Sequence, residues 1–445
     1  MNNLLAARSQ MAMSLAFHII FAVIGVALPL MMVIAEALWL RTGDPIYRVL
    51  ARRWAKGTAI LFAVGAVSGT VLSFELGLLW PGFMEFAGPI IGMPFSLEGF
   101  AFFTEAIFLG IYLYGWDRIS HRAHWLSGVM VAISGPASAV LVTLANAWMN
   151  TPVGFAMAGG KIVVESIDPV RALASPAALA ESLHIILAAY AATGFLAAGV
   201  HARWLLLDKT NGFHRRGLAI ALAVGGVAAI LQGPSGDYAA KVVAKTQHAK
   251  LAAMEGQFRT ERRAPLRIGG IPDVEAGVTR YAIEIPAGLS ILSYGDPNAE
   301  VIGLDDIKAA DRPDVRVVHP AFQIMVGCGM AMMGVAIWGG LVAWRKRTVP
   351  DGRWFLRSVV LACPLGMVAI EAGWVVTEVG RQPWIVQGVL RTSEAVTPVE
   401  GLWVSMFAYT LLYLFLGAIV IRLLVAQFRH SPTSDELARD VEALS

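Results

Sequence analysis

The sequence places six ionisable or imidazole side chains inside long apolar segments. They are His18, Glu98, Glu105, His184, Glu371 and Glu378. A charged group at the centre of a bilayer costs at least about 2.5 kcal/mol on insertion scales, so each of these residues is a candidate for function. Carboxylates and imidazoles in a membrane are typical of proton or cation transfer and of cofactor binding inside a helix bundle.

The four carboxylates form two pairs with i, i+7 spacing. Glu98 pairs with Glu105, and Glu371 pairs with Glu378. Two helical turns return to nearly the same face of a helix, about 10.5 Å further along the axis. Each pair therefore predicts one polar stripe on one membrane helix.

The elements that must position these residues are membrane helices. The chain has 445 residues, of which 57% are hydrophobic and 15% charged, and the charges cluster between long apolar runs, as in integral membrane proteins. A run of about 18 or more apolar residues can cross the hydrocarbon core as a helix. We predict an all-α polytopic protein with nine spans, at roughly 13–40, 55–80, 95–117, 124–148, 181–205, 215–235, 317–344, 354–379 and 402–426.

Other features exclude several alternatives. The first apolar run continues past Leu40 without a small-residue cleavage site, so we expect a true span and no cleaved signal peptide. Cys328 and Cys363 both lie in apolar runs, which argues against a disulfide in an extracytoplasmic loop. The net charge of +3 arises from residues that flank the spans, so we expect no binding of nucleic acid.

The distribution of Lys and Arg predicts the orientation. The connections after spans one, three, five and seven are rich in Lys and Arg, and the positive-inside rule makes those sides cytoplasmic. The amino terminus is then outside and the carboxyl terminus inside. We divide the chain into spans one to six (1–235), a long extracytoplasmic loop (236–316), spans seven to nine (317–427) and a cytoplasmic tail (428–445).

Several candidate residues lie at a similar predicted depth in the membrane. In this orientation His18, Glu98, His184, Met325 and Glu378 all fall in the outer half of the membrane. A His/Met pair suits the iron of a six-coordinate electron-transfer haem. The residues alone leave two alternatives open: a proton or cation antiporter that uses the carboxylates, and simple interhelical hydrogen bonding by Ser138, Asn146 and Glu371.

Five sequence motifs favour a haem protein over these alternatives. They are PFSLEGFAFFTEAIFLGIYLYGWDR at 94–118, SAVLVTLAN at 138–146, KLAAMEG at 250–256, FQIMVGCGM at 322–330, and EAGWVVTEVGRQPW at 371–384. Each resembles a signature of subunit I of the cytochrome bd family of quinol oxidases. The resemblance covers essentially the whole chain, including the nine spans and the long loop.

The resemblance implies three haems. His184 and Met325 match the axial ligands of a low-spin haem b. His18, Glu98 and Glu378 match positions around two high-spin haems, which are a haem b and either a haem d or a further haem b. The resemblance does not assign these residues to one or the other of the two irons. Trp374 resembles the tryptophan between haems, and Arg381 the arginine that pairs with haem propionates, for which a guanidinium is well suited.

The resemblance also implies a substrate site and a proton path. Lys250 and Glu255 match the quinol-binding pair of the long loop, where a lysine holds a quinol oxygen and a glutamate accepts a proton. Without that match, the 244–258 stretch reads as a short surface helix near the membrane. Lys56, Glu105 and Ser138 match positions that carry protons from the cytoplasm, so that Glu98, Glu105 and Glu378 form the catalytic carboxylate set.

The implied activity is quinol:O2 oxidoreduction in the bacterial cytoplasmic (inner) membrane, as part of a respiratory chain. Ubiquinol or menaquinol is oxidised at the outer face and O2 is reduced to water, which generates proton-motive force without pumping. The expected partners are subunit II of the oxidase and a small single-helix subunit. Gln323 departs from the family pattern, in which many members carry arginine beside the low-spin haem, and this departure and the short loop resemble the cyanide-insensitive branch.

Overall fold

The computed structural model describes residues 2–429 together with residues 432 and 437. Within this part of the chain, nine helical segments are long and apolar enough to cross a membrane. The predicted all-α architecture with nine spans is therefore confirmed. The predicted tail at 428–445 lies outside the described residues, apart from Phe428, Arg429, Pro432 and Leu437.

The first 246 residues contain six of these spans, one short helix and one short hairpin. In chain order the elements are α1 (Asn3–Thr42), α2 (Pro45–Leu79), α3 (Pro81–Tyr114), α4 (His121–Asn150), β1 (Met157–Ala158), β2 (Lys161–Ile162), α5 (Pro169–Leu173), α6 (Ala178–Leu205) and α7 (Gly212–Thr246).

Most of these helices exceed their predicted bounds, and α3 and α7 extend furthest beyond them. The α3 helix begins at Pro81 and includes Pro89 and Pro94, although residues 81–94 were expected to form a connection. Proline is favoured at the first position of a helix, and neighbouring helices tolerate it inside a membrane helix. The α7 helix continues past residue 235 as a polar helix, in which Lys241 and Asp237 form an i, i+4 ion pair of 2.6 Å.

A connecting segment, residues 247–314, joins α7 to the next span. It contains α8 (His248–Glu255), β3 (Glu261–Arg262), β4 (Leu266–Ile268), β5 (Ile271–Asp273), β6 (Val278–Arg280), β7 (Ile283–Ile285), α9 (Gly288–Tyr294) and β8 (Glu300–Val301). The strands pair in a nested antiparallel order: β5 with β6, β4 with β7, and β3 with β8. The segment is therefore an ordered cap on the bundle rather than an irregular loop.

The remaining elements form the last three spans. They are α10 (Val315–Lys346), α11 (Arg353–Ala362), α12 (Leu365–Arg381), β9 (Trp384–Val386), β10 (Leu390–Arg391), α13 (Thr392–Ala395) and α14 (Leu402–Phe428). The eighth span, predicted as one helix, is divided into α11 and α12 at Cys363 and Pro364. Proline has no backbone N–H to donate and its ring crowds the preceding turn, which accounts for the break.

Helix packing brings the functional candidates into one bundle. The α6 helix packs against α1, α4, α7, α11 and α12, and α10 packs against α7, α8 and α12. The α6 and α7 helices approach each other closely, since a Cβ added to Gly194 would lie 2.4 Å from the Cα of Gly225. Glycine is required at this crossing because small residues let membrane helices approach closely.

Candidate functional site

His184 lies on α6 and faces polar residues of α7. The side-chain amide nitrogen of Gln232 is 3.0 Å from His184 Nε2, and the Ser235 hydroxyl is 3.4 Å from His184 Nδ1. Sequence reasoning did not select Gln232, although a polar amide near the end of an apolar run was a usable signal. These contacts hold the His184 imidazole between α6 and α7.

His18 lies on α1 and contacts α2. Its Nδ1 is 2.9 Å from the hydroxyl of Ser68, and that hydroxyl also lies 2.9 Å from the backbone oxygen of Val64. Since a hydroxyl has one proton and donates it to the carbonyl, it accepts from His18 Nδ1–H. Nε2 is then the ring nitrogen with a free lone pair, which is the arrangement of a metal-binding histidine.

A glycine on a neighbouring helix faces each of the three candidate axial ligands. A Cβ added to Gly69 would lie 3.0 Å from His18 Cε1, one added to Gly236 would lie 3.5 Å from His184 Cε1, and one added to Gly373 would lie 3.1 Å from Met325 Sδ. These glycines leave room beside two imidazoles and one thioether. Together with the chemistry of these donors, this clearance fits the binding of haem.

Glu378 and Arg381 form an ion pair at the end of α12. One carboxylate oxygen of Glu378 accepts from the Arg381 guanidinium at 2.6 Å, and the other accepts from the side-chain amide of Asn146 at 2.8 Å. Arg381 is only 2% exposed, and its Nε has no hydrogen-bond partner among the described residues. A buried guanidinium with an unused donor suits a further anionic oxygen, such as that of a haem propionate.

Trp374 lies one turn before Glu378 on α12. It packs in an apolar cluster with Ile19 of α1 and Ala189 of α6. The indole therefore packs near the helices that carry His18 and His184. The role of Trp374 as a tryptophan between haems stays a prediction.

Lys250, on α8 of the connecting segment, points into the bundle. Its ammonium donates to the side-chain oxygen of Asn150 at 2.9 Å, and the amide of Asn150 donates to Glu181 at 2.8 Å and to Asn146 at 3.0 Å. We call the six joined side chains the Asn150 cluster: Asn146, Asn150, Glu181, Lys250, Glu378 and Arg381.

The α8 helix is buried, which corrects the expectation of a surface helix. Lys250 is 5% and Glu255 6% exposed. Burial lowers the pKa of Lys250, and the nearby Glu181 carboxylate opposes that effect. Burial raises the pKa of Glu255 to about 7, although Arg267 acts in the opposite direction. A carboxyl group with a pKa near neutrality is suited to accept and release protons.

Glu98, Glu105 and Ser138 meet at the contact between α3 and α4, and we call them the Glu98 cluster. The Ser138 hydroxyl donates to Glu98 at 2.9 Å. A Cβ added to Gly135 would lie 3.4 Å from the Glu105 carboxylate, one turn before Ser138 on α4. The predicted single stripe on α3 is therefore present. Lys56 is exposed on α2 and forms no hydrogen bond or ion pair with another described residue.

Gln323 binds the connecting segment rather than facing only the bundle. Its side-chain oxygen accepts from the backbone N–H of Gly269 at 2.9 Å, and its amide donates to the carbonyl of Arg267 at 3.1 Å. One turn earlier, the buried His319 contacts the carbonyls of Met254 and Gly269 at 2.8 and 3.0 Å. The α10 helix thus holds both α8 and the turn between β4 and β5.

The two carboxylates of α12 have different surroundings. Glu371 lines a groove of about 420 Å³ between α1, α12 and α14, together with Phe17, Thr410 and Tyr413. It forms no hydrogen bond with a described residue, so these residues give no support to the interhelical alternative for Glu371. That alternative does describe Ser138 and Asn146, which join α3 to α4 and α4 to α12.

Both cysteines are free, as the sequence predicted. Among the described residues, no group of three or more His, Cys, Asp or Glu side chains could hold a metal ion by itself. The candidate iron ligands are instead distributed over separate helices, as expected where a macrocycle supplies most of the coordination.

Comparison with known proteins identifies relatives over almost the whole chain. The family model described as cytochrome bd terminal oxidase subunit I matches residues 6–432. A relative in Bacillus subtilis (strain 168), provisionally named cytochrome bd menaquinol oxidase subunit I, is 37% identical over 98% of this chain and 99% of its own length. The cytochrome bd ubiquinol oxidase subunit 1 of the same organism is 31% identical over 98% of this chain and 95% of its own length.

A solved structure gives the same result for the fold. The bd oxidase from Geobacillus thermodenitrificans superposes with a TM-score of 0.89 at 39% sequence identity, covering 97% of this chain and 99% of that chain. The described helices, the buried polar clusters and these comparisons agree with the resemblance read from the sequence motifs. The chain is a multi-pass membrane protein that belongs to the cytochrome bd terminal oxidase subunit I family.

Proposed function

We propose that the chain is the haem-bearing subunit of a terminal quinol oxidase, in which quinol is oxidised at the connecting segment and O2 is reduced inside the bundle. Membership of the family makes the chain a terminal oxidase subunit. The observation that best supports quinol oxidation at the connecting segment is the contact between Lys250 and Asn150. It joins the connecting segment directly to the polar groups around Glu378.

The low-spin haem b would be held by His184 and Met325, and the two high-spin haems, a haem b with a haem d or a further haem b, by His18, Glu98 and Glu378. Support comes from the glycines beside the imidazole and thioether donors and from the unused Nε of Arg381. When bound, the haems supply one-electron transfer and the iron at which O2 is reduced.

The quinol site would use Lys250 and Glu255 of α8. Lys250 holds a quinol oxygen, and Glu255 accepts a hydroxyl proton as the quinol is oxidised. Glu255 is suited to this role because one of its carboxylate oxygens is buried without a partner among the described residues. Gln323 and His319 hold the backbone around α8, so the two side chains keep their positions during turnover.

Protons for water formation would pass from Lys56 to Glu105, Ser138 and Glu98. The hydrogen bond between Ser138 and Glu98, with Glu105 two turns away on the same face, supports the last part of this route. Quinol oxidation releases electrons and protons in equal number, and reduction of O2 to water consumes them in equal number. Release outside and uptake from the cytoplasm therefore separate charge without a pump.

In this proposal the chain lies in the cytoplasmic membrane with its amino terminus outside, and it works with subunit II of the oxidase and a small single-helix subunit. Ubiquinol and menaquinol are both candidate substrates, since relatives are named for each.

The test is oxygen uptake by the purified complex with short-chain ubiquinol and, separately, menaquinol, together with chromatographic identification of the extracted haems. We expect rapid uptake with at least one quinol and three haems per complex. Haem without quinol-dependent uptake would contradict the oxidase proposal and indicate a structural or sensory subunit.

A further inference from the structure

Glu181 has no role in the function proposed so far, yet it belongs to the Asn150 cluster that receives Lys250. It lies near the beginning of α6, one turn before His184. Its carboxylate accepts from the side-chain amide of Asn150 at 2.8 Å. Glu181 is thus joined to Lys250 through a single side chain that belongs to a third helix.

Asn150 uses both ends of its amide. The oxygen accepts from Lys250 at 2.9 Å and lies 3.5 Å from a guanidinium nitrogen of Arg381, while the nitrogen donates to Glu181 and to Asn146. A side-chain amide offers one acceptor oxygen and two donor hydrogens, and all of them are occupied here. Replacement of either charged neighbour would therefore leave part of the amide without a partner.

The charges around Asn150 balance. Two cations, Lys250 and Arg381, face two carboxylates, Glu181 and Glu378. Buried ions are tolerated when opposite charges and hydrogen bonds compensate them. Loss of one carboxylate would leave an excess positive charge beside a buried ammonium, whose charged form burial already disfavours.

The backbone also leaves room for Lys250. A Cβ added to Gly380 would lie 2.9 Å from Cγ of Lys250. The glycine of the GRQPW motif therefore gives the lysine stem its passage past α12 toward Asn150. The position of the ammonium is fixed along the stem as well as at its tip.

We propose that Glu181 is a positioning residue for quinol binding, which acts through Asn150 to hold the charged Lys250 side chain at the quinol site. The inference rests on the proposed function, in which Lys250 holds a quinol oxygen. In this proposal Glu181 makes no contact of its own with the quinol, so its effect must pass through Lys250.

The experiment is a double-mutant cycle on the intact complex with a short-chain quinol. Glu181→Gln should raise KM about tenfold with little change in kcat, because it weakens substrate binding without affecting the chemical step. Lys250→Met should also raise KM, and the addition of Glu181→Gln to it should have no further effect. Glu181→Asp, which keeps the charge, should restore most of the affinity.

Controls separate this effect from general damage. Asp237→Asn removes a carboxylate from a lysine partner on the exposed end of α7 and should leave KM unchanged. The reduced absorption spectrum of each variant should match the wild type. If Glu181→Gln fails to assemble, Asn150→Ala tests the same link, because it removes the side chain that joins Glu181 to Lys250. This variant should also raise KM.

A chemical readout tests the holding of Lys250 independently of turnover. With an amine-acylating N-hydroxysuccinimide ester, the exposed Lys241 should react quickly and Lys250 slowly in the wild type, whereas Glu181→Gln should expose Lys250 to rapid acylation in peptide mass spectra. Slow acylation in the variant, or an equal rise in KM with and without Lys250, would overturn the role of Glu181. An unchanged KM in Lys250→Met would instead contradict the quinol role of Lys250.

Discussion

The Asn150 cluster and the Glu98 cluster are both polar groups on otherwise apolar helices, but they are built differently. The first draws its side chains from α4, α6, α8 and α12, with two cations facing two carboxylates. The second has two carboxylates on α3 and one hydroxyl on α4, without a cation among its described partners. A balanced network fixes geometry, whereas carboxyl groups with few partners can change protonation and rotamer at small cost.

The comparison matches the two proposed tasks. Quinol binding and electron transfer need fixed positions, because misplacement of reacting groups by a small distance costs rate. Proton transfer along Glu105, Ser138 and Glu98 needs groups that take up a proton and release it again. The difference predicts that substitutions in the Asn150 cluster reduce stability or affinity, and that those in the Glu98 cluster reduce turnover in an intact protein.

The largest effect is expected at Arg381. Arg381→Met leaves the Glu378 carboxylate without its cation, which should cost about 3 kcal/mol and most of the assembled complex. The measurement is thermal unfolding in detergent, with haem content as a second readout. Arg391→Met is the matched control, since its ion pair with Asp311 is about one-third exposed and should contribute less than about 1 kcal/mol. Equal losses in both variants would contradict the special role of the buried cluster.

Glu105→Gln should have the next largest effect. Loss of one proton carrier should reduce quinol-dependent oxygen uptake about 1000-fold, while thermal stability and the reduced spectrum stay close to the wild type. Glu85→Gln on the same helix is the control, because Glu85 is an exposed partner of Lys161 and should have no effect. Normal uptake in Glu105→Gln would remove Glu105 from the proton path.

Glu255 predicts a pH dependence. Its pKa is raised to about 7 by burial, so the carboxyl group is protonated below that pH and cannot accept the quinol proton. kcat/KM for quinol should therefore rise as pH passes through about 7. Glu255→Gln should abolish this rise and lower kcat/KM about 100-fold at high pH. A rise that persists in the variant would assign it to another group.

Gln323 should give the smallest effect. Gln323→Leu removes two hydrogen bonds to the turn between β4 and β5, each contributing about 1 kcal/mol. Hydrogen exchange at residues 266–272 should accelerate by at least about fivefold in mass spectra of the corresponding peptides. Gln427→Leu, which removes a hydrogen bond to the carbonyl of Arg53 elsewhere in the bundle, is the control. Unchanged exchange would show that other contacts hold the turn.

Much of the fold was predictable because a helix that crosses the lipid bilayer must be both long enough and apolar enough. The nine spans follow from that rule. It cannot locate helix ends that lie outside the apolar runs, so the start of α3 at Pro81 and the polar end of α7 at Thr246 were missed. The break at Pro364 was visible as a proline but not as a division of one span.

The candidate site was predictable only where residue type or motif gives a signal. Glu98, Glu105 and Glu378 carry both signals, and His184 carries only the first. Asn150 and Glu181 carry neither signal. Their proposed roles depend on contacts between helices that are far apart in sequence, such as the contact between Lys250 and Asn150. The burial of α8 has the same origin, since its short polar sequence is typical of a surface helix until the bundle beneath it is known.

The most direct test of the central claim is the reduced-minus-oxidised absorption spectrum of the purified complex and two histidine variants. His184→Ala removes a proposed iron ligand, and His201→Ala removes a second buried histidine of the same helix that contacts His214. We predict haem bands in the wild type, loss of the low-spin haem b bands in His184→Ala, and retention of all bands in His201→Ala. The absence of haem bands in the wild type, or an unchanged spectrum in His184→Ala, would contradict the account.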